Sequence, residues 1–375
     1  MRFTQVHLKN WRNFSQADLE LQQRMFLVGP NASGKSNFLD VFRLLSDVVT
    51  QGGIEKAVMN RGGVSRLRCL AARQHPNIEI DVSLGDDKTE VWRYHLAFSQ
   101  DRERPVIREE KVWGSGEVII TRPDKDDRAD PERLRQTHLE QVNANRKFRP
   151  IAEFFSSIRY YHIVPQLVRE PDRSAGRQAD PYGGDFLERM ARTAKGTRDA
   201  RLKRILECLK VAVPQLQQLE LTTDPRGLPH LRGKYEHWRS KGAWQNEVDF
   251  SDGTLRLLGL LWALLDGSGP VLLEEPELSL HAEVVRFIPQ MMYKVQRKLG
   301  RQILVSTHSS DLLRDEGIAP DEVALFSPSS EGTEVKTGAA ISEVRFLLQK
   351  GLSVAEAVFP RTRPRNADQL ALFGD

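Results

Sequence analysis

The sequence predicts an α/β protein that has a mixed-sheet core lobe with antiparallel N-terminal strands and a mainly helical second lobe. Two observations predict this class. A glycine-containing loop at residues 29–36 stands between an apolar run and a helical pattern. A second apolar run, at residues 271–273, ends in two glutamates. A strand that leads into a glycine loop and a helix is typical of parallel sheets with ligand sites at their strand ends.

The N-terminal segment predicts two strands before the strand that enters the glycine loop, because apolar and polar side chains alternate there. The apolar positions are Phe3, Val6, Leu8, Leu19 and Leu21. The turn between these strands carries Trp11, Arg12 and Phe14. One interpretation is that these residues lie against the base or phosphates of a nucleotide, since an aromatic face and the guanidinium of Arg12 suit both. The alternative is that this turn packs the edge of the sheet.

The loop at residues 29–36 has the spacing G-x-x-x-x-G-K-S, which is typical of phosphate binding. Glycines let phosphate oxygens approach backbone N–H groups closely, and the following helix adds its N-terminal N–H groups. We expect Lys35 to reach the β- and γ-phosphates and the Ser36 hydroxyl to bind Mg²⁺. The alternative is an ordinary glycine turn before a helix. The residues assigned to the nucleotide are Gly29, Pro30, Asn31, Ala32, Ser33, Gly34, Lys35, Ser36 and Asn37.

Beyond the first helix, strand patterns indicate an antiparallel meander, which we place at residues 78–84, 91–98, 106–113 and 118–121. A charged stretch at residues 124–131 then predicts an exposed turn and the boundary between lobes. The resulting division has an N-terminal half of the core lobe, a mainly helical lobe, a C-terminal half of the core lobe and a tail. Their bounds are 1–125, 126–248, 249–345 and 346–375.

A basic helix is predicted within the second lobe at residues 188–204. Its cations are Arg189, Arg192, Lys195, Arg198, Arg201, Lys203 and Arg204, against the acids Glu188 and Asp199. One interpretation is a solvated helix face, which is what most charge runs are. The other is contact with the phosphate backbone of a nucleic acid.

Residues 250–254 precede a strongly apolar helical pattern and carry Ser251, Asp252 and Gly253. Ser251 is a favourable N-cap, and a capped core helix is the simpler interpretation. The functional interpretation is that this helix terminus and the Ser251 hydroxyl bind a γ-phosphate held by another subunit. The position just before the acidic strand favours the functional interpretation.

The apolar run 271–273 predicts a buried parallel strand, and Glu274 and Glu275 follow it. Carboxylates at this end of a strand face the crevice where phosphates bind. We assign Glu274 to Mg²⁺ and Glu275 to polarising the attacking water, with a solvated strand end as the alternative. His308 ends the next strand pattern and could bind the γ-phosphate or that water, although a lone histidine is usually structural.

Composition points to a cytoplasmic protein without a membrane role. The chain has 375 residues, a net charge of +4 and only two cysteines, Cys69 and Cys208, and its sequence pI is about 9.0. This excess of basic residues fits an acidic polymer as partner. Two cysteines cannot form a disulfide framework. The longest apolar run, residues 257–265, is too short to span a bilayer.

The order of these motifs resembles the ABC-type ATPase heads of the SMC, RecF and OLD families. It is most similar to the OLD-like, AAA-annotated bacterial ATPases found in phage-defence and DNA-repair operons. The resemblance covers about residues 1–325 and implies an ABC-type P-loop fold. It implies a Walker A loop at 29–36, a signature at 251–253, a D-loop at 278–281 and a Walker B pair at Glu274 and Glu275. It also implies a switch histidine at His308 and a metal-binding Q-loop glutamine at Gln141.

The resemblance further implies ATP and Mg²⁺ as cofactors, a homodimer formed on ATP, and hydrolysis that depends on Glu275, His308 and Lys35. Nucleotide state would be coupled to a DNA-associated process. The rival hypothesis is a non-hydrolysing, ATP-gated module that presents DNA- and partner-binding surfaces.

The chain departs from the family patterns at several points. Glu274 stands where the Walker B aspartate is usual, so we expect its contact with the metal ion to be less direct than that of an aspartate. The transporter-type LSGGQ motif and a long heptad repeat are absent from the sequence, which argues against a transporter motor and an SMC-like coiled coil. The acidic constellation of a TOPRIM nuclease is also missing after His308. We therefore expect a separate effector protein.

The C-terminal segment carries a basic, proline-spaced stretch at residues 360–365, which predicts a linker. The string that follows resembles the sliding-clamp-binding motif QLxLF. Its residues are Gln369, Leu370, Leu372 and Phe373. We expect this motif to bind a bacterial sliding clamp. The alternative is that it docks on its own ATPase lobe.

Overall fold

The computed structural model describes residues 1–50, 52–71, 76–86, 89–170, 180, 182–238 and 242–363. Within this part of the chain the strands form two six-stranded sheets and one three-stranded sheet. Helices pack on the mixed six-stranded sheet, so the predicted α/β class is confirmed.

The N-terminal sheet is antiparallel and has the strand order β2-β1-β4-β5-β6-β7. Its strands are β1 Arg2–Trp11, β2 Phe14–Glu20, β4 Ile78–Gly85, β5 Glu90–Asp101, β6 Arg104–Gly114 and β7 Glu117–Arg122. Val6 and Leu8 of β1 are fully buried on one face, as the period of two requires when one face covers a core. Phe3 joins the same core because the register of β1 against β4 shifts between Phe3 and Gln5. The two predicted N-terminal strands and the meander are present.

The mixed sheet has the order β15-β14-β3-β13-β12-β8. Its strands are β3 Arg24–Val28, β8 Arg159–Tyr161, β12 Val271–Glu274, β13 Ile303–Thr307, β14 Val323–Ser329 and β15 Gly332–Thr337. All neighbours pair in parallel except β14 and β15. The carboxyl ends of β3, β8, β12 and β13 therefore meet at one edge of the sheet.

The two faces of the mixed sheet cover different cores, because successive side chains of a strand point to opposite faces. Met25 and Leu27 of β3 pack with the antiparallel sheet and the first helix. Phe26 and Val28 pack with the apolar helix that starts at Asp252. Burial on both faces explains why β3, β12 and β13 appear in the sequence as continuous apolar runs.

The described helices include those predicted after the glycine loop and after Ser251, with different bounds. They are α1 Lys35–Val48, α2 Gly53–Met59, α3 Val64–Leu67, α4 Lys125–Ala129, α5 Arg149–Ser156, α6 Pro165–Val168, α7 Phe186–Arg192, α8 Lys195–Ala212, α9 Asp252–Leu265, α10 Ala282–Val285, α11 Ile288–Leu299, α12 Ser342–Gln349 and α13 Val354–Val358. None of these described helices is long and apolar enough to cross a membrane.

Residues 126–248 are less helical than expected. Strand β8 joins the mixed sheet, and a three-stranded antiparallel sheet contains β9 Leu216–Thr223, β10 Pro229–Tyr235 and β11 Ala243–Asn246. The predicted basic helix is two helices, α7 and α8, because the backbone at Thr193 is extended. The proposed lobe bounds stay a prediction.

The expected C-terminal tail begins with packed structure. Val354, Ala357 and Val358 of α13 are buried in the core that also contains Phe26 and Val28 of β3. Residues 359–362 form a short 3₁₀ turn where the sequence suggested the start of a linker. The QLALF motif at residues 369–373 lies outside the described residues.

Candidate active site

The glycine loop lies between β3 and α1 and follows a backbone path that requires its glycines. Gly34 has φ 95°, a conformation that favours glycine. A Cβ atom on Gly29 would lie 2.5 Å from the carbonyl oxygen of Phe326 in β14. Strand β14 therefore packs tightly against the start of the loop. Helix α1 begins at Lys35, at the end of the loop.

A turn of the antiparallel sheet holds the loop from the other side. The Asn13 side chain donates a hydrogen bond to the carbonyl of Ala32 at 3.3 Å and accepts one from the side chain of Asn37. The Trp11 indole donates to the carbonyl of Asn37 at 2.8 Å. Asn13 was not identified from the sequence, since its partners are distant along the chain. These contacts keep the loop and the start of α1 in one geometry.

Arg12 lies in the same turn but binds the helix. Its guanidinium contacts the carboxylate of Asp40, in α1, at 2.8 Å. Burial opposes ionisation of Asp40, but the guanidiniums of Arg61, Arg43 and Arg12 outweigh it and lower the pKa of this carboxyl. No contact among the described residues joins the Arg12 side chain to residues 29–36. The structure favours the packing interpretation of Arg12, and its assignment to the nucleotide stays a prediction.

Lys35 folds back over the loop. Its ammonium donates to the carbonyl oxygens of Gly29 and Pro30, both at 3.0 Å. Burial lowers the pKa of Lys35 to about 8, and the nearby carboxylates of Glu275 and Glu274 only partly offset this effect. The cation is thus poorly solvated, and an anion in the loop would stabilise it.

Glu274 and Ser36 are in direct contact, as expected for two ligands of one ion. The Ser36 hydroxyl donates to one oxygen of Glu274, and the Tyr160 hydroxyl donates to the other. His162 Nδ1 lies 3.6 Å from that second oxygen. Burial alone would raise the pKa of Glu274, but hydrogen bonds from His162, Ser36 and Tyr160 lower it to about 2. An ionised carboxylate beside a hydroxyl is an oxygen donor set that suits Mg²⁺.

Tyr160 and His162 are site residues that sequence reasoning missed. They belong to β8 and the residue after it, and β8 pairs in parallel with the acidic strand β12. The signal in the sequence was the apolar and aromatic stretch 158–164. Its place beside β12 depends on a pairing that local patterns do not reveal.

Gln141 is not brought to this cluster. Its backbone N–H donates to the carbonyl of His138, and its carbonyl accepts from Asn145. None of the described contacts joins Gln141 to Ser36 or Glu274. The structure therefore does not support Gln141 as a metal ligand. His162, at the end of the strand next to β12, lies beside Glu274 instead.

Glu275 and His308 form a second pair at the same sheet edge. His308 Nε2 lies 3.3 Å from a carboxylate oxygen of Glu275. The hydrogen bond from His308 lowers the pKa of Glu275. Glu275 has φ 43°, so its side chain leaves the strand direction just where β12 ends. The structure brings both residues together, as the motif order predicted.

Ser251 caps α9, as the simpler interpretation predicts. Its hydroxyl accepts a hydrogen bond from the Thr254 N–H at 3.1 Å, and its side chain is exposed. Asp252 forms a salt bridge with Arg169 at 2.6 Å. A Cβ atom on Gly253 would lie 2.7 Å from the carbonyl of Ser279, so the start of α9 packs against residues 278–281.

A P-loop between β3 and α1, two glutamates at the end of β12 and a histidine at the end of β13 define an ABC-type ATPase head. The chain belongs to the family described as "AAA domain, putative AbiEii toxin, Type IV TA system", whose model matches residues 24–315. A comparison with curated proteins found no match.

Solved structures of SMC heads share this fold. One is the SMC head bound to the C-winged helix domain of ScpA, with a TM-score of 0.54 and 12% identity, covering 90% of this chain and 97% of that one. Another is the SMC head with an extended coiled coil bound to the C-terminal domain of ScpA derived from Pyrococcus furiosus. Its TM-score is 0.50 at 11% identity, covering 93% of this chain and 99% of that one. The ABC-type head fold is confirmed.

Proposed function

We propose that the protein binds ATP with Mg²⁺ at this site, hydrolyses it, and dimerises in its ATP-bound state. The observation that carries this proposal is the meeting of three groups at one sheet edge. These are the loop cation Lys35, the Ser36–Glu274 contact and the Glu275–His308 pair.

The site residues have separate tasks in binding. Backbone N–H groups of the loop and of the start of α1 bind phosphate oxygens. Lys35 exchanges its two carbonyl partners for the β- and γ-phosphates, which restores the stability of its charged form. Ser36 and Glu274 hold the metal ion. When bound, the ion neutralises charge on the β- and γ-phosphate oxygens.

Hydrolysis depends on positioning, as in other phosphoryl transfers. Glu275 is ionised at neutral pH because its pKa is lowered. Its carboxylate accepts a hydrogen bond from the attacking water and aligns that water with the γ-phosphorus. His308 keeps the carboxylate in place from 3.3 Å away. Both side chains are only partly buried, which leaves room for a water molecule.

A second copy of the chain supports this chemistry in the proposed dimer. None of the described contacts joins Ser251 to the glycine loop of its own chain. Ser251, Asp252 and Gly253 are at least partly exposed at the start of α9, where they can meet the γ-phosphate held by the other copy. Dimerisation would therefore depend on ATP rather than ADP.

DNA contact is proposed for the exposed cations of α7 and α8. Arg201 is excluded from this set, since it binds Asp266 at 2.9 Å and stacks on Trp262. Arg189 likewise stacks on Tyr161 at 4.4 Å. Within the predicted basic stretch 188–204, the exposed cations are Arg192, Lys195, Lys203 and Arg204. The proposed role is to couple nucleotide state to a DNA-associated process, in phage defence or DNA repair, with a separate effector protein.

Steady-state phosphate release with and without DNA tests this function against its rival. Turnover that rises with DNA supports the coupled ATPase. ATP-dependent dimers that bind DNA without any turnover would instead support the non-hydrolysing module. The sliding clamp stays a further candidate partner through residues 369–373.

A further inference from the structure

Glu277 is a buried carboxyl group that neither metal binding nor water activation uses. It follows the Walker B pair in the sequence Glu-Glu-Pro-Glu and is 7% exposed. One of its oxygens, Oε1, accepts two hydrogen bonds from the end of the neighbouring strand β13. The Thr307 hydroxyl donates at 2.5 Å and the backbone N–H of His308 donates at 3.1 Å.

These bonds fix the turn that carries the imidazole of His308. Thr307 Oγ1, which donates to Glu277, also accepts from the N–H of Ser309 at 3.0 Å, so this hydroxyl links the carboxyl group to the residue after His308. The ring of His308 then reaches Glu275 at 3.3 Å. A continuous path of contacts thus runs from Glu277 through the strand end to the carboxylate that faces the attacking water.

The local environment argues against a role in stability alone. Burial raises the pKa of Glu277, and its second oxygen, Oε2, is buried without a hydrogen-bond partner among the described residues. An unpaired polar atom in a buried site is costly, and a native structure rarely keeps one without a functional reason.

We propose that Glu277 is the positioning residue for His308. Its Oε1 oxygen holds the Thr307–His308 backbone so that the imidazole meets Glu275 in the arrangement needed for hydrolysis. This inference rests on the proposed function. It adds a third glutamate to the site, one that contacts neither the nucleotide nor the water.

Kinetics of three variants test the role. Glu277→Ala removes the acceptor, and a displacement of the imidazole by about 1 Å can cost about 100-fold in rate, so kcat should fall by about that factor. Affinity for a fluorescent ATP analogue should stay unchanged, since Lys35 and Ser36 are intact. Glu277→Gln keeps an acceptor oxygen and should restore most of kcat. In a His308→Ala background, Glu277→Ala should have no additional effect, because coupled residues are not additive.

A readout other than turnover separates this inference from the proposed hydrolysis. The Cε1–H NMR signal of His308, assigned by its loss in His308→Gln, should shift in Glu277→Ala and return in Glu277→Gln. If the wild-type protein does not turn over ATP but the signal behaves in this way, hydrolysis is refuted and positioning stands. An unmoved signal with unchanged kcat in Glu277→Ala overturns positioning, and so does equal impairment of the alanine and glutamine variants.

A matched control and a second variant address folding. Glu247 is also fully buried and accepts from the Leu231 N–H at 2.8 Å, in the three-stranded sheet. Glu247→Ala should lower stability in thermal unfolding without changing kcat per folded molecule. If Glu277→Ala does not fold, Thr307→Val removes one of the two donors. It should then shift the His308 signal and lower kcat, and a lack of both effects overturns the proposal.

Discussion

Replacing Lys35 by methionine should stabilise the protein without nucleotide and abolish its stabilisation by ATP. The side chain is 5% exposed, and burial lowers its pKa from 10.5 to about 8. This difference corresponds to about 3.4 kcal/mol at 1.36 kcal/mol per pKa unit. Because methionine leaves the carbonyl oxygens of Gly29 and Pro30 without their donor, we reduce the expected gain to about 1.5 kcal/mol. Methionine keeps most of the volume without the charge.

The size of this effect depends on pH. Below pH 8 the lysine is charged in both the folded and the unfolded protein, and the folded state carries the full cost of burying the charge. As pH rises from 8 to 10.5 the folded protein loses the proton first, so the wild-type protein gains stability relative to the variant. The advantage of Lys35→Met should therefore be complete near pH 7 and nearly absent above pH 10.5.

Thermal unfolding with and without Mg-ATP measures both effects. For a chain of 375 residues, 1.5 kcal/mol corresponds to a rise in Tm of about 2 °C. At an ATP concentration of 100 times Kd, the wild-type protein should gain about 2.7 kcal/mol and the variant nothing. The order of stability then reverses when ATP is added.

Lys9→Met is the matched control. Lys9 pairs with Glu79 at 3.3 Å on the antiparallel sheet, away from the loop, so this variant should keep the ATP-induced rise in Tm. A Lys35→Met protein that is less stable than wild type without nucleotide would refute the argument from burial. Retention of the ATP-induced rise would refute the role of Lys35 in binding.

Three further predictions concern partners. In a Glu275→Gln background, ATP but not ADP should produce dimers in light scattering, and Ser251→Arg should abolish them. Charge reversal of three exposed cations of α8 should flatten the slope of log affinity for DNA against log salt by up to about 3, by roughly 0.9 for each lost phosphate contact. The changes are Lys195→Glu, Lys203→Glu and Arg204→Glu. A peptide of residues 364–375 should bind a bacterial sliding clamp at about micromolar Kd in fluorescence anisotropy, and Leu372→Ala/Phe373→Ala should prevent this.

Each of these predictions has a contrary outcome. Dimers that ignore both the nucleotide and Ser251→Arg would contradict the geometry proposed for α9. An unchanged slope of log affinity against log salt would show that these cations of α8 face solvent and do not contact DNA. Equal clamp binding by the double alanine peptide, or none by either peptide or full-length protein at tens of micromolar clamp, would exclude the clamp interpretation.

The parts of the site that sequence reasoning identified are those whose geometry follows from local order. The loop at 29–36, Glu274, Glu275 and His308 each stand at the end of an apolar strand pattern, and parallel pairing brings these ends together. Gln141 was chosen by residue type, without knowledge of which strand lies beside β12. Tyr160 and His162 take that place because β8 pairs with β12, a contact across more than a hundred residues.

Other differences also have physical causes. The sequence could not distinguish a packing role of Arg12 from a nucleotide-binding role. Its partner, Asp40, faces it only after α1 packs on the antiparallel sheet. Strands β9 to β11 were missed because their short pattern mixes Leu216, Leu219 and Leu221 with polar residues. The basic helix is divided at Thr193, but the sequence has no strong helix-breaking residue at this position. Tertiary packing decides such features, and local propensity predicts them weakly.

Phosphate release at saturating Mg-ATP, compared between the wild-type protein and Glu275→Gln, tests the central claim most directly. Among the described residues, His308 is the one hydrogen-bond partner of the Glu275 side chain, and glutamine keeps its size, so nucleotide binding should be unchanged. We predict turnover by the wild-type protein and a loss of at least about 100-fold in Glu275→Gln, as expected when a residue that orients the attacking water is lost. Hydrolysis by Glu275→Gln at the wild-type rate, or the absence of turnover in the wild-type protein under these conditions, would contradict the account.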